Sequence, residues 1–282
     1  MNTKNKQYRI EKDSLGKVKV PLEAYYGAQT TRAIDNFPIS GIRPHPISTR
    51  SMVYIKKAAA KVNNELGCLD NEKSEAIINA ADRIIEGEFK DQFVVDIYQA
   101  GAGTSFNMNV NEVIANIAIE SLGWEKGNYS VIHPNDHVNL GQSTNDVFPA
   151  TMRISALYLL KELFPVVDAL AKSFNKKANE FDKTIKSGRT HLQDAAPITL
   201  GQECSGYADA VSKSAKKIKK ASDALKELGV GGTAVGTGLN SHPDYKERII
   251  KALQKITNLD IRGTSNYFEA MQSNAPITEV SG

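Results

Sequence analysis

The sequence predicts a mostly α-helical protein in which a small mixed amino-terminal domain leads into a bundle of long helices. Three observations carry this expectation. Apolar residues recur at spacings of three and four through several segments, two of those segments run unusually long, and the opening stretch lacks the period.

Residues 1 to 45 are punctuated by Gly16, Pro21, Gly27, Pro38, Gly41 and Pro44, which reads as loops, turns and a small hairpin. Met52, Ile55, Ala59, Val62 and Leu66 then share one stripe of a helix beginning near Ser48. A second helix follows Asp70, with Ile77, Ala81, Ile84 and Ile85 facing inward. Residues 110–122 make a third, strongly apolar helix that stops at Gly123. Beyond Pro149, Ala156, Leu160, Leu163, Val167, Leu170, Phe174 and Phe181 sustain a near-heptad stripe over about 30 residues, or ~45 Å of helix. Pro165 lies inside that stripe and is expected to kink or split it, because proline lacks the backbone donor. Cys204, Tyr207, Val211, Ala215, Ile218, Ala221, Leu225 and Leu228 repeat the pattern in a second long segment. One apolar seam on each long helix calls for more partners than the chain supplies, so self-association is expected.

The change of character sets the domain expectation: residues 1–142 as the amino-terminal domain and residues 143–282 as the first part of the bundle. The chain closes on EAMQSNAPITEVSG, just after what looks like the opening of another helix and without capping logic, and so reads as cut.

Composition narrows the function classes. With 282 residues, 41% hydrophobic and 24% charged, the chain can bury a sizeable core. A net charge of +3 is too slight to point to nucleic acid, yet it does not repel a small dianion. Cys68 and Cys204 form no CxxC, which suits a reducing compartment. The opening MNTKNKQYRIEKD has no apolar signal core, and no run approaches the ~20 apolar residues of a membrane span, so a cytoplasmic protein without a membrane partner is expected.

Three polar clusters concentrate hydroxyl, amide and imidazole groups beside glycines, where backbone can approach a ligand closely. GAGTSFNMNVNE, residues 101–112, places Thr104, Ser105, Asn107 and Asn109 in a glycine-led turn ahead of an apolar helix. HPNDHVNLGQSTNDVFP, residues 133–149, places Ser143, Thr144, Asn145 and Asp146 ahead of the first long helix. GRTHLQDAAPITLGQE, residues 188–203, offers Arg189, Thr190, His191, Gln193 and Asp194 ahead of the second. Each alone reads as a helix cap, and a lone histidine is more often structural than catalytic. Gathered in space, the three would surround one anion-sized pocket with donors.

Other signals carry less. GVGGTAVGTG, residues 229–238, superficially suggests a dinucleotide loop but follows a lysine-rich helix instead of a strand. Lys213, Lys216, Lys217, Lys219 and Lys220 lie opposite the apolar seam and read as a solvated face. His133 and His137 are four apart, but Pro134 between them argues against a shared helical face; no metal site and no cofactor are expected.

In order and spacing, GAGTSFNMNVNEVIAN, HPNDHVNLGQSTNDVFP, GRTHLQDAAPITLGQE and GGTAVGTGLNSHPDY resemble the blocks of the aspartase/fumarase superfamily of carbon–heteroatom lyases, over essentially the whole chain. The resemblance implies the L-aspartase-like fold, a homotetramer built on a shared helix bundle, and active sites that draw their clusters from three subunits. It implies a small dicarboxylate substrate and anti elimination releasing fumarate. By resemblance, Thr104, Ser143 and Thr144 hold the β-carboxylate, Asn145 and His191 contact the leaving-group side, and Thr190 the α-carboxylate, with Thr190 and His191 counted as catalytic. The family's mobile loop, GSSxMPxKxNP, with its basic serine, would lie beyond residue 282, so the chain by itself is expected to be inactive.

Within the family, AYYGAQTTRAIDNFPI, DQFVVDIYQAGAGTS and EKGNYS resemble the ammonia-eliminating branch, where hydratases more typically show WGAQTQRS and GSGTQSNMN. His133 in HPND, His191 in GRTH and GGTAVGTGLNSHP resemble the hydratase branch. GAGTS weighs most, since that block contacts substrate in the family, and favours the ammonia-lyase over the fumarate hydratase. A homologue kept as a structural protein without activity is the remaining alternative, against which the full hydroxyl and amide set argues.

Overall fold

The computed structural model describes residues 7–282; the first six residues of the opening segment lie outside the described residues. Two compact units divide the chain. The first takes everything up to Ser155 together with Lys226–Asn274, and the second takes Ala156–Leu225 with Ala275–Gly282.

The first unit begins with the expected hairpin, β1 (Tyr8–Asp13) paired antiparallel with β2 (Gly16–Pro21). A helix follows where the glycine and proline punctuation predicts loop, α1 (Ala28–Asn36). It is short and its start is held from outside: Glu112, deep in the unit, accepts the N–H groups of Gly27, Gln29 and Thr30 at 2.8, 2.9 and 3.1 Å. Local sequence carries no trace of so distant a cap. Next come α2 (Pro46–Glu65) and α3 (Asn71–Ile85). Met52, Ile55, Ala59 and Val62 are buried on α2, and Ile77, Ala81 and Ile84 on α3, as the stripes require. The start of α2 is two residues earlier than Ser48, because the His45 side chain caps it and Pro46 suits the first helical position.

Helix α4 (Thr104–Ser121) is the centre of this unit, buried all round from Phe106 to Ile119. Ile114 and Ile117, essentially without exposure, each contribute about 1.5–3 kcal/mol through burial. Its polar side chains pin the surrounding loops. Asn109 accepts the Val94 N–H at 2.9 Å and donates to the Gln92 carbonyl at 2.9 Å, while Asn116 donates to the Tyr25 carbonyl at 2.8 Å and accepts from Gly127 N–H at 2.7 Å. The helix therefore starts six residues before the apolar run that announced it, and it ends at Gly123, whose φ of +82° suits glycine.

Helix α5 (Thr144–Glu180) spans 37 residues without interruption through Pro149 and Pro165. Of the kink or break expected at Pro165, the break is absent. Pro165 and Lys161 are both exposed, so the carbonyl that proline leaves unpaired is accessible to water. In the second unit, Leu163, Val166 and Leu170 on α5 are 42%, 66% and 47% exposed, so its apolar seam faces outward in the single chain. After α5 the chain turns into β3 (Ile185–Thr190) and β4 (Gln193–Thr199), an antiparallel hairpin where the sequence suggested only a lead-in to a helix. Then comes α6 (Leu200–Ala221), opened by a capping box in which Thr199 and Gln202 exchange hydrogen bonds at 3.0 Å. It is shorter than the stripe to Leu228 implied, because Leu225 and Leu228 belong to a tighter turn and to strand β5 (Glu227–Leu228).

The chain re-enters the first unit through β5, the glycine-rich segment, α7 (Tyr245–Thr257), β6 (Arg262–Gly263) and α8 (Tyr267–Gln272). β5 and β6 pair in parallel over two residues each. The glycine loop thus does follow a strand, but one far too short for a dinucleotide fold. Arg153, buried on α5, donates to the carbonyls of Glu227, Ala270 and Ser273 and ties these pieces together. A last short helix, α9 (Ala275–Ser281), belongs to the second unit. Among the described residues no helix is long and apolar enough to cross a membrane.

Candidate active site

Two of the three clusters meet in the first unit, at the starts of α4 and α5. Gly103, with φ +80°, precedes Thr104, the first residue of α4. A side chain at position 103 would collide with the Phe148 ring of α5, so glycine is what lets the two helix starts approach. The Phe106 and Phe148 rings meet edge to face at 6.4 Å beside it. Thr104 is exposed there, among backbone donors at a positive helix end.

Ser143 caps α5: its Oγ accepts the Asn145 N–H at 3.2 Å, and its own N–H donates to Asp146 Oδ1 at 2.9 Å. The plain capping role and the ligand role therefore coexist, since an Oγ that accepts from the backbone keeps its proton for another partner. Thr144 is arranged in the same way. Its Oγ1 accepts from Asn107 Nδ2 at 3.0 Å, leaving the hydroxyl proton to donate. Asn145 is exposed and donates from Nδ2 to the Ala234 carbonyl at 2.8 Å, which leaves its Oδ1 as an acceptor. A cavity of about 560 Å³ opens beside it, between Gly101, Phe148, Met152, Val235 and Met271. These groups suit a small carboxylate: hydroxyl donors over two helix starts, with an amide alongside.

The third cluster is built differently. Thr190 and His191 sit in the second unit at the tip of the β3–β4 hairpin, and both are exposed. His191 and Leu192 hold φ of 48° and 61°, the pair of left-handed residues a two-residue hairpin turn needs. Arg189 and Asp194 close the turn with an exposed ion pair at 3.3 Å. The expectation that all three clusters lie at helix starts is thus corrected for Thr190 and His191, whose lead-in is strand. Asn107 and Asn109 also move from the expected turn to the buried interior of α4. Asp146 is a fully buried carboxylate instead of an exposed cap. His133 accepts the N–H groups of Asn135 and Asp136, and its own N–H donates to His137 Nδ1 at 2.8 Å, so the pair closes a local turn.

Sequence reasoning missed Lys56. It is fully buried on α2, and its ammonium donates to Asn107 Oδ1, Asn139 Oδ1 and Gln142 Oε1 at 2.7, 2.7 and 3.0 Å. A signal was present: Lys56 is four residues past Met52, on the core face of the helix. Burial lowers its pKa to about 7, with Asp146 opposing the shift. Burial likewise raises Asp146 to about 6 against the hydrogen bonds of Ser143, Gly231 and Thr233 and the charge of Lys56.

Comparison with known proteins places this helical fold with hydroxyl-lined helix starts in a class, the lyases. A family model described as Lyase matches residues 16–282. The chain is 49% identical to an aspartate ammonia-lyase of a Bacillus species over 98% of its length and 59% of the relative's. It is 50% identical to a class II fumarate hydratase of Halobacterium salinarum over 96% of its length and 57% of the relative's. Among solved structures, a fumarate lyase:delta crystallin of Brucella melitensis superposes with a TM-score of 0.94 at 42% identity, covering 98% of this chain and 60% of that one. The chain belongs to the aspartase/fumarase superfamily of lyases. It spans about three-fifths of the length of the curated relatives it matches.

Proposed function

We propose that the full-length protein is an aspartate ammonia-lyase, eliminating ammonia from L-aspartate to give fumarate. The observation that carries the reading is the pair Ser143 and Thr144: both hydroxyls accept hydrogen bonds from inside the protein, so both are free to donate to a carboxylate. Elimination removes a proton from the carbon beside the β-carboxylate and builds a second negative charge on that group. Donors already aimed at its oxygens stabilise this charge without rearranging, each at about 2.7–4 kcal/mol in comparable sites. Thr104, Ser143 and Thr144 take that role, Asn145 and His191 face the amino side, and Thr190 holds the α-carboxylate.

Class II fumarate hydratase is the second reading, favoured by the Halobacterium salinarum relative at 50% identity. It uses the same carboxylate donors with water in place of ammonia. The outward apolar seam of α5 supports self-association of the second unit; the same reading makes the protein a cytoplasmic homotetramer, with residues 1–142 as its amino-terminal domain and residues 143–282 opening the bundle domain. Following fumarate absorbance with L-aspartate and with L-malate tests the choice. Turnover of L-aspartate is expected. Turnover of L-malate alone would replace the ammonia-lyase with the hydratase.

A further inference from the structure

Two buried charges stand behind Ser143 and Thr144, and the mechanism above leaves them without a task. Asp146 has no exposed surface. Its Oδ1 accepts the Ser143 N–H at 2.9 Å, and its Oδ2 accepts the N–H groups of Gly231 and Thr233, both at 3.0 Å. The glycine-rich segment is shaped for this: Gly231 and Thr233 hold φ of +94° and 58°, a backbone that turns nearby amides toward one anion. The same segment receives Asn145 through the Ala234 carbonyl. The segment that superficially suggested a dinucleotide loop therefore cradles a carboxylate of its own chain.

Lys56 works from α2. Its three amide acceptors take up all three N–H bonds of an ammonium, whereas a neutral amine has only two. They also decide which way Asn107 lies. With Oδ1 turned to the cation, Nδ2 faces Thr144 Oγ1, and the threonine proton is left to donate away from the network. A flipped amide would turn Thr144 into an inward donor. Burying a charge costs solvation that its hydrogen bonds repay only in part, so stability alone is a poor reason for either residue.

We propose that Asp146 and Lys56 are positioning residues that fix the substrate-binding hydroxyls from opposite sides. Asp146 holds Ser143 through its backbone and clasps residues 231–234 onto the site, while Lys56 acts on Thr144 through Asn107. The inference rests on the reading of Ser143 and Thr144 as carboxylate donors. Charged or titratable groups facing Asp146 are Lys56 from α2 and Tyr245 from α7, which is fully buried and feels the carboxylate's charge. The carboxylate's rise to about 6 means that acidification through this value should weaken the clasp.

The test uses the full-length protein and two variants, Asp146→Asn and Asn107→Ala. Steady-state kinetics on whichever of L-aspartate and L-malate the wild type turns over are joined by calorimetric binding of succinate and by amide hydrogen exchange at Gly231 and Thr233. Asp146→Asn is expected to lower kcat about 100-fold with KM within about threefold, as a small misplacement of catalytic donors does. It should also speed exchange at both amides and remove the acid limb of the kcat profile near pH 6. Asn107→Ala leaves both charges in place and should lower kcat about tenfold with exchange unchanged; it decides alone if Asp146→Asn does not fold. A kcat within about threefold of wild type in the folded variants overturns the proposal. If the wild type turns over neither substrate, the lyase reading fails, and unchanged succinate affinity together with unchanged exchange would then overturn the positioning role as well.

Discussion

The two units prepare for chemistry in opposite ways. In the first, the candidate residues rest on a buried polar network: Thr144 on Asn107, Asn107 on Lys56, and Ser143 on Asp146. In the second, Thr190 and His191 stand exposed at a hairpin tip, and apolar residues of α5 face outward. Where a network is internal, geometry is set by the fold of one chain. Where the residues are exposed, their geometry has to be set by whatever covers them. The contrast teaches that the candidate residues of the first unit are preorganised by its own interior, while those of the second stand at its surface.

The largest expected effect separates the units by stability. Ile114→Ala, in the helix around which the first unit is built, should cost about 2–5 kcal/mol, while Leu192→Ala at the 93% exposed hairpin tip should stay within about 0.5 kcal/mol. Thermal unfolding of both variants checks this, and equal losses would break the contrast. His191→Ala comes next. Loss of a charge-assisted contact should lower kcat/KM about 10- to 100-fold, corresponding to ~1.5–3 kcal/mol, while the melting temperature holds because the ring is exposed. A large stability loss with intact kinetics would return His191 to a structural role. The smallest effect sharpens the assembly claim: Leu163→Glu, on the outward seam, should shift sedimentation toward smaller species while far-ultraviolet circular dichroism stays unchanged.

Much of the first unit was legible. The stripes on α2 and α3 gave their helices because each buries one face against a shared core, and period carries that information directly. Helix α1 was hidden, since its start is held by Glu112, some eighty residues away in sequence. The hairpin carrying Thr190 and His191 escaped for a related reason: its strands are largely exposed and show no alternation. Pro165 does not split α5, and both it and Lys161, whose carbonyl it leaves unpaired, stand at the surface. At the site, the hydroxyl and amide donors could be named from their clusters. Lys56 and Asp146 could not be assigned their roles, because a buried charge is recognised by its partners, and partners are a property of the fold.

The central claim is that the preorganised hydroxyls act on charge that develops during the reaction. Steady-state kinetics of Thr144→Val in the full-length protein test it most directly, because valine keeps the shape and removes only the hydroxyl. The expected result is a kcat lower by about 10²–10³ with KM within about threefold of wild type. A raised KM with kcat unchanged would show that Thr144 binds substrate and transition state alike, and would contradict it.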